Sequence, residues 1–198
     1  MHFQSVIGPS WGVVALVYHL ASRLAYVLWV GAALRRQERQ QAFTASDGIA
    51  AGFARFRRVA RALMNNDGAS YFVLSLITHD TLALIVPRAV TVAAGMLLLA
   101  LGIGVKLWAA ATLGGKAYYW HNFFAPAEAA APTSAGPYRF LKNPMYTVGN
   151  VHLYGLALVL GSAPALAAAL FDHAAILVFH RVVEQPHFER LTRRSGGA

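Results

Sequence analysis

The chain has no cysteine among its 198 residues, which removes disulfides, thiolate nucleophiles, cysteine-ligated zinc and S-palmitoylation. It also leaves the compartment unreadable from redox chemistry. Charge is scarce: Asp, Glu, Lys and Arg make up 13% of the residues, about half the share of a soluble domain. Acids are scarcer still, eight against 17 Lys and Arg, for a net charge of +9. A disordered chain and a nucleic-acid-coating protein are both excluded, because 57% of the residues are hydrophobic and the cations fall between apolar runs, not on one soluble face. No nucleic-acid partner is expected. Residues 1–10 lack a basic n-region and a cleavage site, so a removable signal peptide is not expected.

What is present is a set of long apolar runs, with a mean hydropathy of +0.47. The pattern predicts an all-α fold, a polytopic transmembrane bundle of one domain over residues 1–198. Trp11 to Leu34 holds 24 residues with Arg23 as its only formal charge, enough to cross a hydrocarbon core about 30 Å thick. Arg35 to Ser70 then carries seven arginines against Glu38, Asp47 and Asp67, and the positive-inside rule makes it a cytoplasmic loop. Within it, Ile49 to Met64 reads as a basic helix on an anionic membrane surface or as a solvated helix. Tyr71 to Val86 and Ala89 to about Leu113 predict a helical hairpin turning at Pro87-Arg88. The polar loop from Gly114 to Asn143 is interrupted by Pro126, Pro132 and Pro137. Tyr146 to Val183 predicts a carboxyl-terminal hairpin turning at Gly161 to Pro164. The sum is about five membrane helices, amino terminus outside and carboxyl terminus inside, or four if Tyr146 to Ser162 does not cross.

Ionisable groups at membrane depth are costly, so they face a bundle interior or a wet cavity. His19 and Arg23 share a face of the first helix, His79 and Asp80 fall in the second, Lys106 in the third, and Asp172, His173 and His180 in the last. An internal polar site follows, with Arg23 to Asp80 and Lys106 to Asp172 as candidate pairs. His180, Glu184 and His187 share one helical face as metal ligands would, but Pro186 interrupts it and no HExxH pattern exists, so no metal is expected. No GxSxG is present. Gly102-Ile103-Gly104 lies inside an apolar helix, where it reads as a close helix-packing site and not as a dinucleotide fingerprint.

The most specific signal is Gly136-Pro137-Tyr138-Arg139-Phe140-Leu141-Lys142-Asn143-Pro144-Met145-Tyr146, followed by an apolar hairpin and Val183-Glu184-Gln185-Pro186-His187-Phe188-Glu189. This resembles the membrane-embedded methyltransferases that use S-adenosylmethionine, a group that includes phospholipid N-methyltransferases and isoprenylcysteine carboxyl methyltransferases. The Asn143-Pro144-Met145-Tyr146 form is similar to the phospholipid branch, as is the intramembrane Gly102-Ile103-Gly104 followed by the aromatic segment Tyr118 to Phe124. The motif-bearing part covers about residues 90–190. Two departures stand out: the usual Glu-Glu pair is Glu184-Gln185, and the His-Pro of the wider group is Asn143-Pro144.

The resemblance implies S-adenosylmethionine as cofactor and a membrane phospholipid amine, phosphatidylethanolamine or its methylated forms, as acceptor in the bilayer. It implies that Gly102 and Gly104 leave room for the cofactor and that Pro144 and Tyr146 shape its adenosyl pocket. Glu184 is suited to accept from its ribose or ammonium, while Tyr138, Arg139 and Asn143 are suited to its carboxylate, and Gln185 accepts without charge. Tyr118, Tyr119, Trp120 and Phe124 offer faces for a cation, or form an interfacial belt. The ammonium must lose a proton before attack, and His121 or Glu184 is the acceptor, His121 being preferred because Glu184 is engaged by the cofactor. The competing functions are methylation of a prenylcysteine carboxylate or small thiol, and a non-catalytic membrane protein. The Ala-, Leu- and Arg-rich composition points to a bacterial cytoplasmic membrane, or to endoplasmic reticulum in a eukaryote, with the site facing the cytoplasm. Nothing in the pattern sets an oligomeric state.

Overall fold

The computed structural model describes residues 9–126 and 133–195; Pro132 and the two chain ends lie outside the described residues. All regular structure among them is helical: α1 (Pro9–Gln40), α2 (Gly48–Ile77), α3 (Arg88–Tyr118), α4 (Val151–Leu160), α5 (Ala163–Phe179) and α6 (Gln185–Ser195). Three helical stretches are long and apolar enough to cross a membrane, Ser10–Gln40, Arg88–Phe123 and Ala163–Arg193. The apolar helix Val148–Leu160 is shorter, about 20 Å at 1.5 Å per residue. Large apolar side chains such as Val17, Leu97 and Leu107 point outward, as they do where lipid is the solvent.

The first difference from the sequence pattern is α2. Its basic half and part of the second apolar run form one helix of 30 residues, folded back along α1. The polar run Asn65-Asn66-Asp67 looks like an interruption, yet its side chains are satisfied by the facing helix. Tyr18 Oη donates to Asn66 Oδ1 (2.8 Å), Asn66 Nδ2 donates to Ser22 Oγ (2.7 Å), and Arg23 pairs with Asp67 (2.8 Å). Asp67 is therefore a buried bundle residue and not part of a loop.

The second difference is where α2 stops. It ends at Ile77, nine residues short of Val86, so His79 and Asp80 lie beyond it, with Asp80 left-handed at φ 56°. Thr78 bonds both Leu74 O (2.7 Å) and Ser162 Oγ (2.6 Å). The backbone N–H groups of Asp80 and Leu82 then donate to Leu160 O and Gly161 O. Arg88, just after Pro87, donates to Leu158 O (2.8 Å) and Val159 O (2.6 Å), which satisfies the last carbonyls of α4. The α4–α5 hairpin turns at Gly161 (φ 64°) and restarts with Ser162 capping Ala165 N, as its Gly-Ser-Ala-Pro sequence predicts.

Neither candidate ion pair forms. Arg23 Nη2 lies 2.8 Å from Asp67 Oδ2 and 2.8 Å from Asp172 Oδ2, and His19 bridges Asp172 Oδ2 (3.1 Å) and Ser70 Oγ (2.9 Å). Lys106 instead donates to Asn150 Oδ1 (3.2 Å), and Asp80 faces Arg88 at 3.8 Å. The buried ionic layer ties α1, α2 and α5 together between two apolar cores. One holds Tyr71, Leu74, Leu153 and Ala165; the other holds Val30, Leu34, Phe56, Trp120 and Phe179. His19, Asp67 and Asp172 bring ligand atoms within 4.8 Å of one another. The Arg23 guanidinium already stands between the carboxylates and supplies the positive charge a metal would bring.

Glycine sets the α3–α4 contact. A Cβ on Gly102 would collide with the His152 backbone nitrogen, and one on Gly95 would lie 2.8 Å from Gly155 O. Such small residues let membrane helices approach closely. Gly104, two residues on, has nothing within 4 Å of its would-be Cβ. Gly102→Val is expected to lower stability by at least about 1–3 kcal/mol through overpacking, whereas Gly104→Ala leaves the unfolding midpoint in detergent unchanged. Equal midpoints for the two variants would contradict this assignment.

Candidate active site

The motif residues meet at the basic end of the bundle, where α1 ends with Arg35, Arg36 and Arg39 and α2 begins with Arg55, Arg57 and Arg58. Among the described residues the opposite end carries Arg88 as its only Lys or Arg. The chain reaches the site from three directions. After α3 breaks at Gly114 (φ 74°, ψ 162°), Tyr119 and Trp120 form a turn in which Trp120 is left-handed at φ 58°. That conformation is costly for a bulky residue and is sustained only where its surroundings fix it. The Gly136–Arg139 turn docks on α3, because Gly136 (φ 54°) lets the backbone sit against Thr112 and Trp108. Beyond α5 the helix widens into a π-helical turn over His180–Glu184, a feature that frequently marks functional sites.

Glu184 is the point of convergence. It is buried, and its Oε1 accepts from Trp120 Nε1 in a short hydrogen bond and from Tyr146 Oη at 2.7 Å. Its Oε2 accepts from His180 Nδ1 at 2.7 Å. A carboxylate offers about four lone-pair sites, so three donors leave one acceptor position on Oε2. Tyr138 and Tyr146 surround the same carboxylate. Burial, then the Glu184 charge, pushes the Tyr138 phenol up to about 12, so it remains protonated at neutral pH.

Asn143 and Pro144 build the turn beneath. Asn143 accepts from the Tyr146 N–H through Oδ1 (3.4 Å) and from Thr147 through its carbonyl (2.6 Å to Oγ1), while Pro144 is fully buried and its carbonyl takes Gly149 N (2.7 Å). The Asn143 Nδ2 group is buried and has no partner, a state that native structures rarely leave unfilled.

Other candidate residues are placed elsewhere. Gly102 lies under α4 and Gly104 opens outward. Gln185 points to the exterior and donates to Glu189 (2.9 Å). Arg139 is exposed, its guanidinium over the Phe140 ring. His121 packs edge-on against Phe53 of α2, ring centroids 4.7 Å apart. Phe124 is buried among Phe43, Phe53 and Phe56, and Trp120 is buried against Glu184, so neither belongs to an interfacial belt. His187 does not join His180 and Glu184: it bonds Glu38 (2.7 Å) and stacks on Phe123.

The sequence pattern had no means of naming Trp120 as a Glu184 partner, since a left-handed tryptophan leaves no periodic trace. His180 was accessible through its i, i+4 spacing to Glu184, a spacing equally compatible with a metal face.

Helices throughout the described residues, three of them long and apolar enough to cross a membrane, with a cluster around a buried carboxylate at the basic end, define an integral membrane protein. The chain belongs to the phospholipid methyltransferase family, whose model matches residues 90–193. The phosphatidylethanolamine N-methyltransferase of Malassezia globosa is 33% identical over 142 residues, 69% of this chain and 14% of that protein. Those of Pyricularia oryzae and Kluyveromyces lactis are 32% and 30% identical over 138 and 142 residues, 68% and 69% of this chain but 14% and 17% of their own lengths. The chain thus matches only about a sixth to a seventh of each of these curated relatives. No solved structure matches it.

Proposed function

We propose that the chain transfers a methyl group from S-adenosylmethionine to the amine of a membrane phospholipid, phosphatidylethanolamine or its methylated forms, at the Glu184 site. The observation that carries this reading is the convergence of Trp120, Tyr146 and His180 on one buried carboxylate inside the family-matched segment. The residues suit the cofactor. The free acceptor position on Glu184 matches its ribose or ammonium, and the unpartnered Asn143 amide matches one of its acceptors. Tyr138 and Arg139 lie in the Gly136–Arg139 turn that precedes Asn143, and Gly104 leaves open space beside α3. When bound, S-adenosylmethionine supplies a methyl group on a cationic sulfonium, which departs as a neutral thioether.

The chain's own work is orientation, exclusion of water and removal of a proton from the acceptor ammonium, whose pKa of about 10.4 in water keeps it charged at neutral pH. His121 is one proton acceptor consistent with the sequence. The geometry favours a second: His180 Nδ1 lies 2.7 Å from Glu184 Oε2, a contact that fixes the ring and assigns Nε2 to proton transfer. His180→Gln is expected to slow single turnover by about 100-fold with cofactor affinity retained, and His121→Ala by less than about 3-fold. The reverse ranking would return the role to His121. The positive-inside bias supports a cytoplasmic site, in a bacterial cytoplasmic membrane on grounds of composition. Supplying prenylcysteine or a small thiol beside phosphatidylethanolamine tests the acceptor, and label in the former alone would overturn the phospholipid assignment.

A further inference from the structure

A cleft of about 460 Å³ opens beside the Glu184 segment, between the end of α1, the Phe123 turn and α6. Its volume is that of a small-ligand site. Among the described residues, three arginines, Arg35, Arg39 and Arg190, face it with Glu38 as the single carboxylate. Glu38 is already committed: Oε1 accepts from His187 Nδ1 (2.7 Å) and Arg190 Nε (3.1 Å), and Oε2 from Arg190 Nη2 (2.6 Å). Arg35 gives one Nη to Val182 O (3.2 Å). Arg39 has no side-chain hydrogen bond or ion pair to any described residue, so among these residues its charge lines the cleft uncompensated. His187, with 4% of its side chain exposed, also lines it, and its Nε2 is buried without a partner while Nδ1 is fixed by Glu38.

The geometry points to this cleft as a binding site for the phosphodiester of a membrane phospholipid. Planar guanidinium groups match phosphate oxygens in pairs, and Arg39 and Arg35 present such groups here. The occupant is a lipid and not a soluble anion because of the cleft's position. It sits where the apolar run of α1 gives way to arginines, and Val182 of the π-helical turn, on its wall, is followed one turn back by Val178 of α5, both exposed. A phosphate on the arginines leaves acyl chains running along Val182 and Val178 into the hydrocarbon, the arrangement that basic pockets at a membrane interface favour. The inference does not depend on the cofactor reading, since none of these charges touches Glu184.

Native mass spectrometry of the full detergent-solubilised chain tests it, with phosphatidylethanolamine, phosphatidylglycerol and diacylglycerol as separate probes. Both phospholipids are expected to be retained and diacylglycerol lost. The combined Arg35→Gln, Arg39→Gln variant is expected to weaken retention by about tenfold or more, while Arg58→Gln, on the exposed side of α2, leaves it unchanged. S-adenosylmethionine affinity, measured by calorimetry on the same preparations, is expected to stay constant and shows that the variants are folded. Diacylglycerol retained as strongly as phospholipid, or unchanged retention in the double variant, would overturn the site. Complete displacement of lipid by millimolar inorganic phosphate would assign the cleft to free phosphate and overturn the lipid.

Discussion

Glu184→Ala is expected to abolish measurable S-adenosylmethionine binding and to lower methyl transfer by at least about 100-fold, in a protein that still elutes as a folded species. The alanine removes the acceptor shared by Trp120 Nε1, Tyr146 Oη and His180 Nδ1. The buried Trp120 donor left unmade costs about 1–3 kcal/mol, and the Trp120 turn and the π-helical turn lose the contact that sets them against each other. Glu184→Gln is expected to fare little better, because its amide NH2 confronts donors where the carboxylate presented a lone pair. Titration calorimetry with each purified variant checks this, and retained affinity in Glu184→Ala would remove Glu184 from the cofactor site.

Asp172→Ala is expected to lower stability on the order of 3–5 kcal/mol, the usual result of breaking a buried pair from one side. Asp172 is fully buried and holds Arg23 at 2.8 Å and His19 at 3.1 Å. Its loss leaves Arg23 to Asp67 alone and His19 with only Ser70. The site lies at the other end of the second apolar core, so any protein that survives is expected to retain cofactor affinity. Thermal unfolding followed by size-exclusion chromatography reports the shift. A midpoint equal to that of the wild type would show that the ionic layer does not hold α1, α2 and α5 together.

Those two residues also mark where sequence and structure part. The apolar runs, the Gly161 to Pro164 turn and the motif turn at Asn143-Pro144 were legible, because length, hydropathy and turn chemistry act locally. The continuity of α2 was hidden by Asn65, Asn66 and Asp67, whose polarity reads as a break until Tyr18, Ser22 and Arg23 are seen to satisfy it. Intramembrane charges announced a polar interior, but pairing depends on distances between helices far apart in sequence. Asp172 lies 149 residues from Arg23 and was one of several possible partners. In the site, Glu184, Tyr146 and Asn143 were visible through their motif, while Trp120 became a partner only through its left-handed backbone. Gly102 carried both meanings in the sequence, and its close approach to His152 shows that it packs helices.

The central claim is methyl transfer to a phospholipid at the Glu184 site. Its most direct test is incubation of the purified chain with radiolabelled-methyl S-adenosylmethionine and phosphatidylethanolamine vesicles, followed by lipid extraction and chromatography. The account predicts label in mono-, di- or trimethylated phosphatidylethanolamine for the wild type and none above background for Glu184→Ala. Absence of labelled lipid together with absence of cofactor binding in the wild-type protein would contradict it.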